Sequence, residues 1–445
     1  YGCAVGDIDN DGDPDLYVTN FGPNTLYENL GDGTFREVGS KRGVADGGWG
    51  HSAAFGDIDS DGDLDLYVTN KIVFDIDRPP NEGRPCLYRG LPGMCGPLGL
   101  TPQADRLYRN DGRGAFEDVS ESSGIAAPPP SYGLGVIFGD YDDDGRVDIY
   151  VANDSLPNFL FHNLGDGKFD EVAGTAGVAV KGDGIPQAGM GVDFGDFDGD
   201  LRPDIFVTNF SQDYYTLYWN AGEGLFVDVA AGSALENATR TVLGWGTRFL
   251  DVDNDGDQDL YAANGHVYPD IGSLDLGSTY WEPDQLFLNM GGSEFREASE
   301  RIRLSGPPRC SRGAAFGDID NDGDIDVVVV EMADRPTLLE NVGGNKGNWI
   351  RIVLRGHESN RHGMGARVWV TAMEKTQRRE ATRGGSYCSS SDPRVHVGLG
   401  KADRVERIRV IWPSGKEQGF SDLEVNREIV IDEDAGIVRR QEERR

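Results

Sequence analysis

The sequence predicts an all-β fold: a β-propeller with six evident blades, a seventh remaining open, followed by a small β-sandwich. Three observations predict it. An Asp-rich loop recurs six times, beginning at Asp7, Asp57, Asp140, Asp196, Asp251 and Asp318. The same succession of short apolar strands accompanies each loop, as in Leu16-Tyr17-Val18-Thr19 and Leu66-Tyr67-Val68-Thr69. No helical period runs through any of these segments, so repetition of four-stranded units is the economical reading.

Each unit reads in the same order. A strand of small residues precedes the loop, for example His51-Ser-Ala-Ala-Phe55 or Gly313-Ala-Ala-Phe316, and it is the natural innermost strand because blades crowd at the axis. The apolar strand follows the loop. A third strand ends in Asn, as in Asn24-Thr-Leu-Tyr-Glu-Asn29 and Asn158-Phe-Leu-Phe-His-Asn163. A Gly-Asp-Gly turn then leads into a Phe-centred strand. Residues 71–104 form an insertion in the second unit and 266–283 another in the fifth. The sixth unit lacks its Phe strand, and the chain opens inside a motif at Tyr1, so a leader or a strand is expected upstream.

The loops carry the chemistry. Four of the six read Asp-x-Asp-x-Asp-Gly-Asp-x-Asp, which is the first half of an EF-hand-like loop with the Gly at position 6 making the sharp turn. The expected ligand residues are Asp7, Asp9, Asp11, Asp13 and Asp15; Asp57, Asp59, Asp61, Asp63 and Asp65; Asp140, Asp142, Asp144, Arg146 and Asp148. The later loops contribute Asp196, Asp198, Asp200 and Asp204; Asp251, Asp253, Asp255, Asp257 and Asp259; and Asp318, Asp320, Asp322, Asp324 and Asp326. Position 7 acts through its carbonyl, which makes Arg146 harmless. Four carboxylates converging within a few ångströms repel unless a cation sits among them, and hard oxygen donors favour Ca2+, with about five or six ions expected. Asp and Gly as plain turn formers is the bland alternative, which predicts scattered rather than periodic Asp. The fourth loop has Gly199 at position 4 and Leu201 where Gly is expected, so it should turn differently or bind more weakly.

Charge divides the chain. The formal net charge is -34, and residues 346–432 carry 16 basic against 11 acidic side chains, leaving -39 on residues 1–345. Such a propeller repels nucleic acid. Residues 346–432 show alternating strands at 349–354, 366–371, 394–399 and 406–411, and their basic excess suits docking on the acidic propeller. Residues 433–445 read as a charged tail. No run of 18 apolar residues exists.

Cys86 and Cys95 flank a Pro/Gly-rich segment, which a disulfide would staple in an oxidising compartment; two free thiols are the alternative. Nucleophile elbows, phosphate loops and His-Glu-x-x-His are absent from the sequence, and the six histidines, His51, His162, His266, His357, His362 and His396, lack ligand spacing. His51, Asp193, Arg248 and Arg312 fall on innermost strands, where they either face the channel and bind a small anionic or sugar ligand or pair with one another. Asn153, Asn209 and Asn237 begin glycosylation sequons.

These repeats resemble the FG-GAP/VCBS repeats of integrin-type propellers. Asn348-Trp-Ile-Arg-Ile-Val-Leu-Arg-Gly356, Ser359-Asn-Arg-His-Gly-Met-Gly-Ala-Arg-Val368, Ser391-Asp-Pro-Arg-Val-His-Val-Gly-Leu-Gly400 and Val410-Ile-Trp-Pro-Ser-Gly415 resemble the ASPIC/UnbV domain. Together they resemble the cartilage acidic protein family, as does the Cys86–Cys95 insertion followed by Cys95-Gly-Pro-Leu-Gly-Leu100. The resemblance implies a secreted, periplasmic or cell-surface calcium-binding protein used in recognition or adhesion, without catalysis, whose protein or glycan ligand meets a propeller face or the C-terminal domain. Two alternatives stand beside it: a carbohydrate-active enzyme using the channel or the insertions, and a structural subunit of a surface assembly contacting partners through 71–104.

Overall fold

The computed structural model describes residues 1–291, 294–302 and 309–438. Six antiparallel sheets follow one another along the chain, five of four strands and the sixth of three. The first runs Cys3–Gly6, Asp15–Val18, Thr25–Asn29 and Phe35–Glu37, each strand paired with the next. The sixth consists of Ser311–Gly317, Asp326–Glu331 and Thr337–Leu339, without a Phe strand of its own unit among the described residues. Among the described residues no seventh blade precedes the C-terminal domain; besides the blades, the only further sheet in residues 1–345 is a two-stranded ribbon, Cys86–Tyr88 with Leu91–Gly93.

Short helical turns, which the strand pattern did not announce, link three of the blades to the next: Gly39–Arg42, Ser120–Ser123 and Ala173–Ala176. Each ends on a left-handed glycine, where no Cβ opposes the turn.

The innermost strands explain why Phe-Gly precedes so many loops. A Cβ on Gly56 would lie 2.6 Å from the Phe138 ring, on Gly139 2.8 Å from Phe194, and on Gly195 2.3 Å from Phe249. Each blade's Phe thus fills the space over the preceding blade's Gly, which stacks the sheets face to face at a spacing only glycine permits.

The C-terminal domain packs two four-stranded sheets around Ile350, Ile352, Val368, Val397, Val410, Trp412 and Ile431. Its observed strands Asn348–Arg355, Arg367–Ala372, Val395–Gly400 and Arg404–Ile411 coincide with the four predicted ones. Four more lay outside the prediction: Lys375–Glu380, Glu417–Glu424, Arg427–Asp432 and Gly436–Val438. The boundary at 432 is therefore corrected. Gly436–Val438 pairs with Val430–Asp432, and Glu433 is buried, taking hydrogen bonds from the amides of His357, Glu358 and Ser359. Residues 439–445 lie outside the described residues.

Asp loops join first to second strands, so they share one face of the ring, and the C-terminal domain sits on that face. Its segment 386–392 enters the centre. Ser386 pairs with Val192, and Ser386 Oγ donates to Ala314 O at 2.7 Å. The same segment spans the first and sixth blades: Cys3 N donates to Cys388 O at 3.3 Å and Asp392 N to Phe316 O at 2.9 Å. The two insertions join second to third strands and so occupy the other face. There Cys86 and Cys95 form a disulfide, and Tyr88 stacks on Tyr268 with centroids 4.7 Å apart. No helix among the described residues is long and apolar enough to cross a membrane.

Candidate metal centres

The six loops share one backbone solution. Residue 4 is left-handed in all of them, with φ between 54° and 77°, and residue 6 follows suit. This winding aims backbone N–H groups inward at carboxylates. In the first loop Asp7 accepts from Asp11 N at 3.1 Å and Gly12 N at 2.8 Å, while Asp11 accepts from Asp13 N at 2.8 Å. Ligand atoms of Asp7, Asp9 and Asp15 lie within 4.8 Å of one another, as do those of Asp57, Asp59 and Asp61, of Asp140, Asp142 and Asp144, and of Asp196, Asp198 and Asp204.

Position 9 has a further task. In every loop one of its oxygens accepts the N–H of position 2, at 2.9–3.3 Å. The other accepts the N–H of the Asn that ends the third strand, at 2.7–2.9 Å. That Asn is a site residue whose role the sequence reading missed. Its amide also crosses to the preceding blade: Asn110 Nδ2 donates to Ile8 O, Asn163 to Ile58 O, Asn220 to Tyr141 O, Asn289 to Phe197 O and Asn341 to Val252 O, at 2.7–2.9 Å. Its recurrence before a Gly turn was the available signal.

Burial, aided by neighbouring carboxylates, raises the proton affinity of these groups. Asp7 rises to about 6, Asp15 and Asp57 to about 7, Asp259 to about 8 and Asp204 to about 9. Asp59 Oδ1 and Asp324 Oδ1 are buried and accept no hydrogen bond. Carboxylates arranged this way are undercompensated by the protein itself.

The third and fourth loops differ from the others. Leu201 adopts φ 74° and donates its N–H to Asp196 at 3.1 Å, as the glycines at position 6 do. Gly199 N, however, bonds to Asp196 at 2.9 Å where the other loops use the position 5 N–H, so the loop keeps the common winding and differs in this one bond. The loop holds Leu in a left-handed strain of about 1–2 kcal/mol. Arg146 uses more than its carbonyl: its guanidinium pairs with Asp144, and Arg202 pairs with Asp200 in the same way. His162, read as lacking any ligand neighbourhood, lies 3.4 Å from Asp142 and 3.3 Å from Asp148.

Comparison with known proteins gives the family of the repeats. An FG-GAP-like repeat model matches residues 7–68, 98–151, 140–207, 196–262 and 264–329. The chain belongs to the FG-GAP repeat family. An ASPIC and UnbV model matches residues 356–438. The chain is 28% identical to cartilage acidic protein 1 of Xenopus tropicalis, covering 93% of this chain and 61% of that one. Against cartilage acidic protein 1 of Homo sapiens it is 30% identical, covering 73% and 47%. It thus spans roughly half to three fifths of the length of these curated relatives. Among solved structures it is similar to an Agrocybe aegerita lectin that recognises terminal N-acetylglucosamine, at 16% identity and TM-score 0.42, covering 77% and 81%. An exotype rhamnogalacturonan lyase gives 14% identity and TM-score 0.38, covering 88% and 72%. At these values the likeness does not extend to function.

The ASPIC/UnbV domain delivers cations to the FG-GAP loops, as its charge anticipated. Arg351, almost fully buried, pairs with Asp318. Arg367 donates to Asp140 at 2.7 Å and to Asp143 at 2.8 Å, Lys375 donates to Asp257 at 2.6 Å, and Arg394 donates to Asp318 O at 2.8 Å. His396 Nε2 lies 2.7 Å from Asn254 Oδ1.

The suggested channel set is not brought together around an opening. His51 Nδ1 lies 3.3 Å from the Tyr387 hydroxyl, and Arg312 stacks over Trp245 at 4.3 Å while donating to the carbonyls of Gly265 and His266. Asp193 accepts from Phe249 N at 2.8 Å, and with Arg248 it borders a cavity of about 120 Å³ beneath the ASPIC/UnbV domain. The 386–392 segment fills the place assigned to a ligand. Two sequons are closed as well: Asn153 and Asn209 are buried with their amides donating to Pro157 O and Tyr214 O, whereas Asn237 is exposed.

Proposed function

We propose that this protein is a non-enzymatic, extracytoplasmic scaffold whose FG-GAP loops bind calcium and whose surfaces serve recognition or adhesion. Supporting this reading, above all, are repeated all-oxygen donor sets containing buried carboxylate oxygens without partners, Asp59 Oδ1 and Asp324 Oδ1. Such a set fits a hard divalent cation and not a soft one. Asp at positions 1, 3 and 5 would hold the ion with the carbonyl of position 7. The ion supplies positive charge; the chain supplies the preformed winding, so binding stiffens the edge where each first strand meets its second. A disulfide at Cys86–Cys95 suits a secreted, periplasmic or cell-surface location.

A second reading, a subunit of a surface assembly, is favoured by one observation. Val73, Ile76, Leu87, Met94 and Leu98 of the 71–104 insertion are between 60% and 71% exposed. The carbohydrate-active enzyme reading needs free paired carboxylates. In the cavity Asp392 pairs with Arg394 at 2.5 Å and Glu380 lies 4.0 Å from Arg378, so the observed carboxylates face arginine.

Elemental analysis with melting in the presence and absence of a chelator tests the main reading. Several calcium ions per chain and a lower melting temperature on chelation are expected. Near-zero calcium with an unchanged melt would show that the loops are turns only.

A further inference from the structure

We propose that the third and fourth loops are closed by arginine instead of calcium, so that the propeller holds four tight ions, in loops one, two, five and six. This rests on the calcium reading and divides its sites. Position 7 is Asp13, Asp63, Asp257 and Asp324 in those four loops but Arg146 and Arg202 in the other two, a change of two charge units per loop. Both arginines are placed alike. Nε donates to the carbonyl of the strand-ending Asn, Arg146 to Asn163 at 2.7 Å and Arg202 to Asn220 at 2.9 Å, and the guanidinium turns back onto the position 5 carboxylate, Asp144 or Asp200. Among the described residues no other position 5 carboxylate has an ion pair.

Position 3 is approached from within its own blade's third strand in the same two loops, whereas in the fifth loop it is Arg301 that lies 3.9 Å from Asp253. In loops three and four the residue before the strand-ending Asn reaches it: His162 lies 3.4 Å from Asp142, and Trp219 Nε1 donates to Asp198 at 2.7 Å. Elsewhere that place holds Glu28, Leu288 or Glu340, which offer no donor, or Arg109, which is turned to Glu117 at 3.2 Å. Position 1 does not separate the two groups of loops, since Arg367 covers Asp140 in the third loop and Arg351 covers Asp318 in the sixth. The unpartnered buried carboxylate oxygens, by contrast, fall in loops two and six. A calcium ion entering loops three or four must displace a guanidinium held at two points, and in loop four it must also strip Trp219 Nε1 from position 3. In the other four loops no cation among the described residues holds position 5, and only the neutral Asn345 side-chain amide, donating to Asp322 at 2.7 Å, stands there.

The test is stoichiometry. The full chain is equilibrated at about 10 μM free calcium, within the range of EF-hand sensor affinities, and its calcium is counted after desalting. Four ions per chain are expected, and Arg146→Asp and Arg202→Asp should each add one. Six equivalent ions in the unaltered chain, or no gain in either variant that keeps its circular dichroism, overturns this proposal while leaving the calcium reading intact. No calcium at all overturns both. Terbium(III) luminescence excited through tryptophan gives a second readout. Trp349 packs on Gly323 of loop six, so Trp349→Phe should lose emission within the first four equivalents, whereas Trp219→Phe, beside loop four, should not. Loss with Trp219→Phe would place an ion in loop four and refute the assignment.

Discussion

Replacing Asn110 by Ala removes one of the ties between blades without touching a carboxylate ligand. The side chain is 3% exposed and makes four bonds: it donates to Ile8 O at 2.8 Å and Leu64 O at 3.1 Å, and accepts from Gly112 N at 3.2 Å and Gly114 N at 3.1 Å. Gly112 is half-buried and Gly114 buried, so the loss of their acceptor adds to the cost. The two carbonyls belong to the buried residues Ile8 and Leu64, and each left unpaired costs about 1–3 kcal/mol. A destabilisation of about 2–6 kcal/mol follows. Urea unfolding at saturating calcium, followed by tryptophan fluorescence and circular dichroism together, measures it where the two transitions coincide. Asn110→Asp is the sharper control. Its ionised carboxylate would face two carbonyl oxygens beside Asp65, so it should be worse than Ala at pH 8 and recover at pH 5, where a protonated acid donates again. A loss under about 0.5 kcal/mol for Asn110→Ala, or an Asp variant indifferent to pH, would refute the inter-blade role.

Three further outcomes follow from the same geometry. Gly195→Ala should cost about 1–3 kcal/mol or more in urea titration, since its Cβ would meet the Phe249 ring at 2.3 Å; a neutral result would mean that the blades slide apart freely. In chelator, burial holds Asp15 at about 7, Asp259 at about 8 and Asp204 at about 9, above the ordinary 3.8. The metal-free folded chain therefore keeps protons that the unfolded chain releases, and stability present below about pH 4 is lost as pH rises towards 9. Melting in chelator and high salt should be higher at pH 5.5 than at pH 8, and the opposite order would contradict the loop electrostatics. Arg351→Met leaves Asp318 buried without its guanidinium, costing about 3–5 kcal/mol by analogy with broken buried pairs, and should raise protease sensitivity at the junction near 344–348; an unchanged digest would count against docking through this pair.

Much of the ring was legible because its information is local. Asp at alternate positions and Gly at the sixth specify a winding within nine residues, and the small-residue, apolar and Asn-ended strands repeat within one unit. The same locality explains the errors. Leu201 predicts a different turn, yet its N–H bond to Asp196 carries it through the left-handed region, and the loop differs only in using Gly199 N where the others use position 5. His162 looked isolated in sequence, but it stands next to Asn163, whose amide is fixed by Asp148, so strand pairing carries the ring to the loop. The tail was set at 433 from charge, and Glu433 is buried because three backbone N–H groups point at it.

By itself, then, the sequence determined the fold class, the six loops and the sign of each domain's charge, since these depend on residues close along the chain. Only the tertiary structure decided that His162 and Arg367 reach the third loop, that the glycine before most loops is shaped by the next blade's Phe, and that 386–392 fills the ring's centre. Those facts join residues separated by tens to hundreds of positions. Their pairing is selected by packing and burial over the whole assembly, and composition, period and spacing carry no record of it.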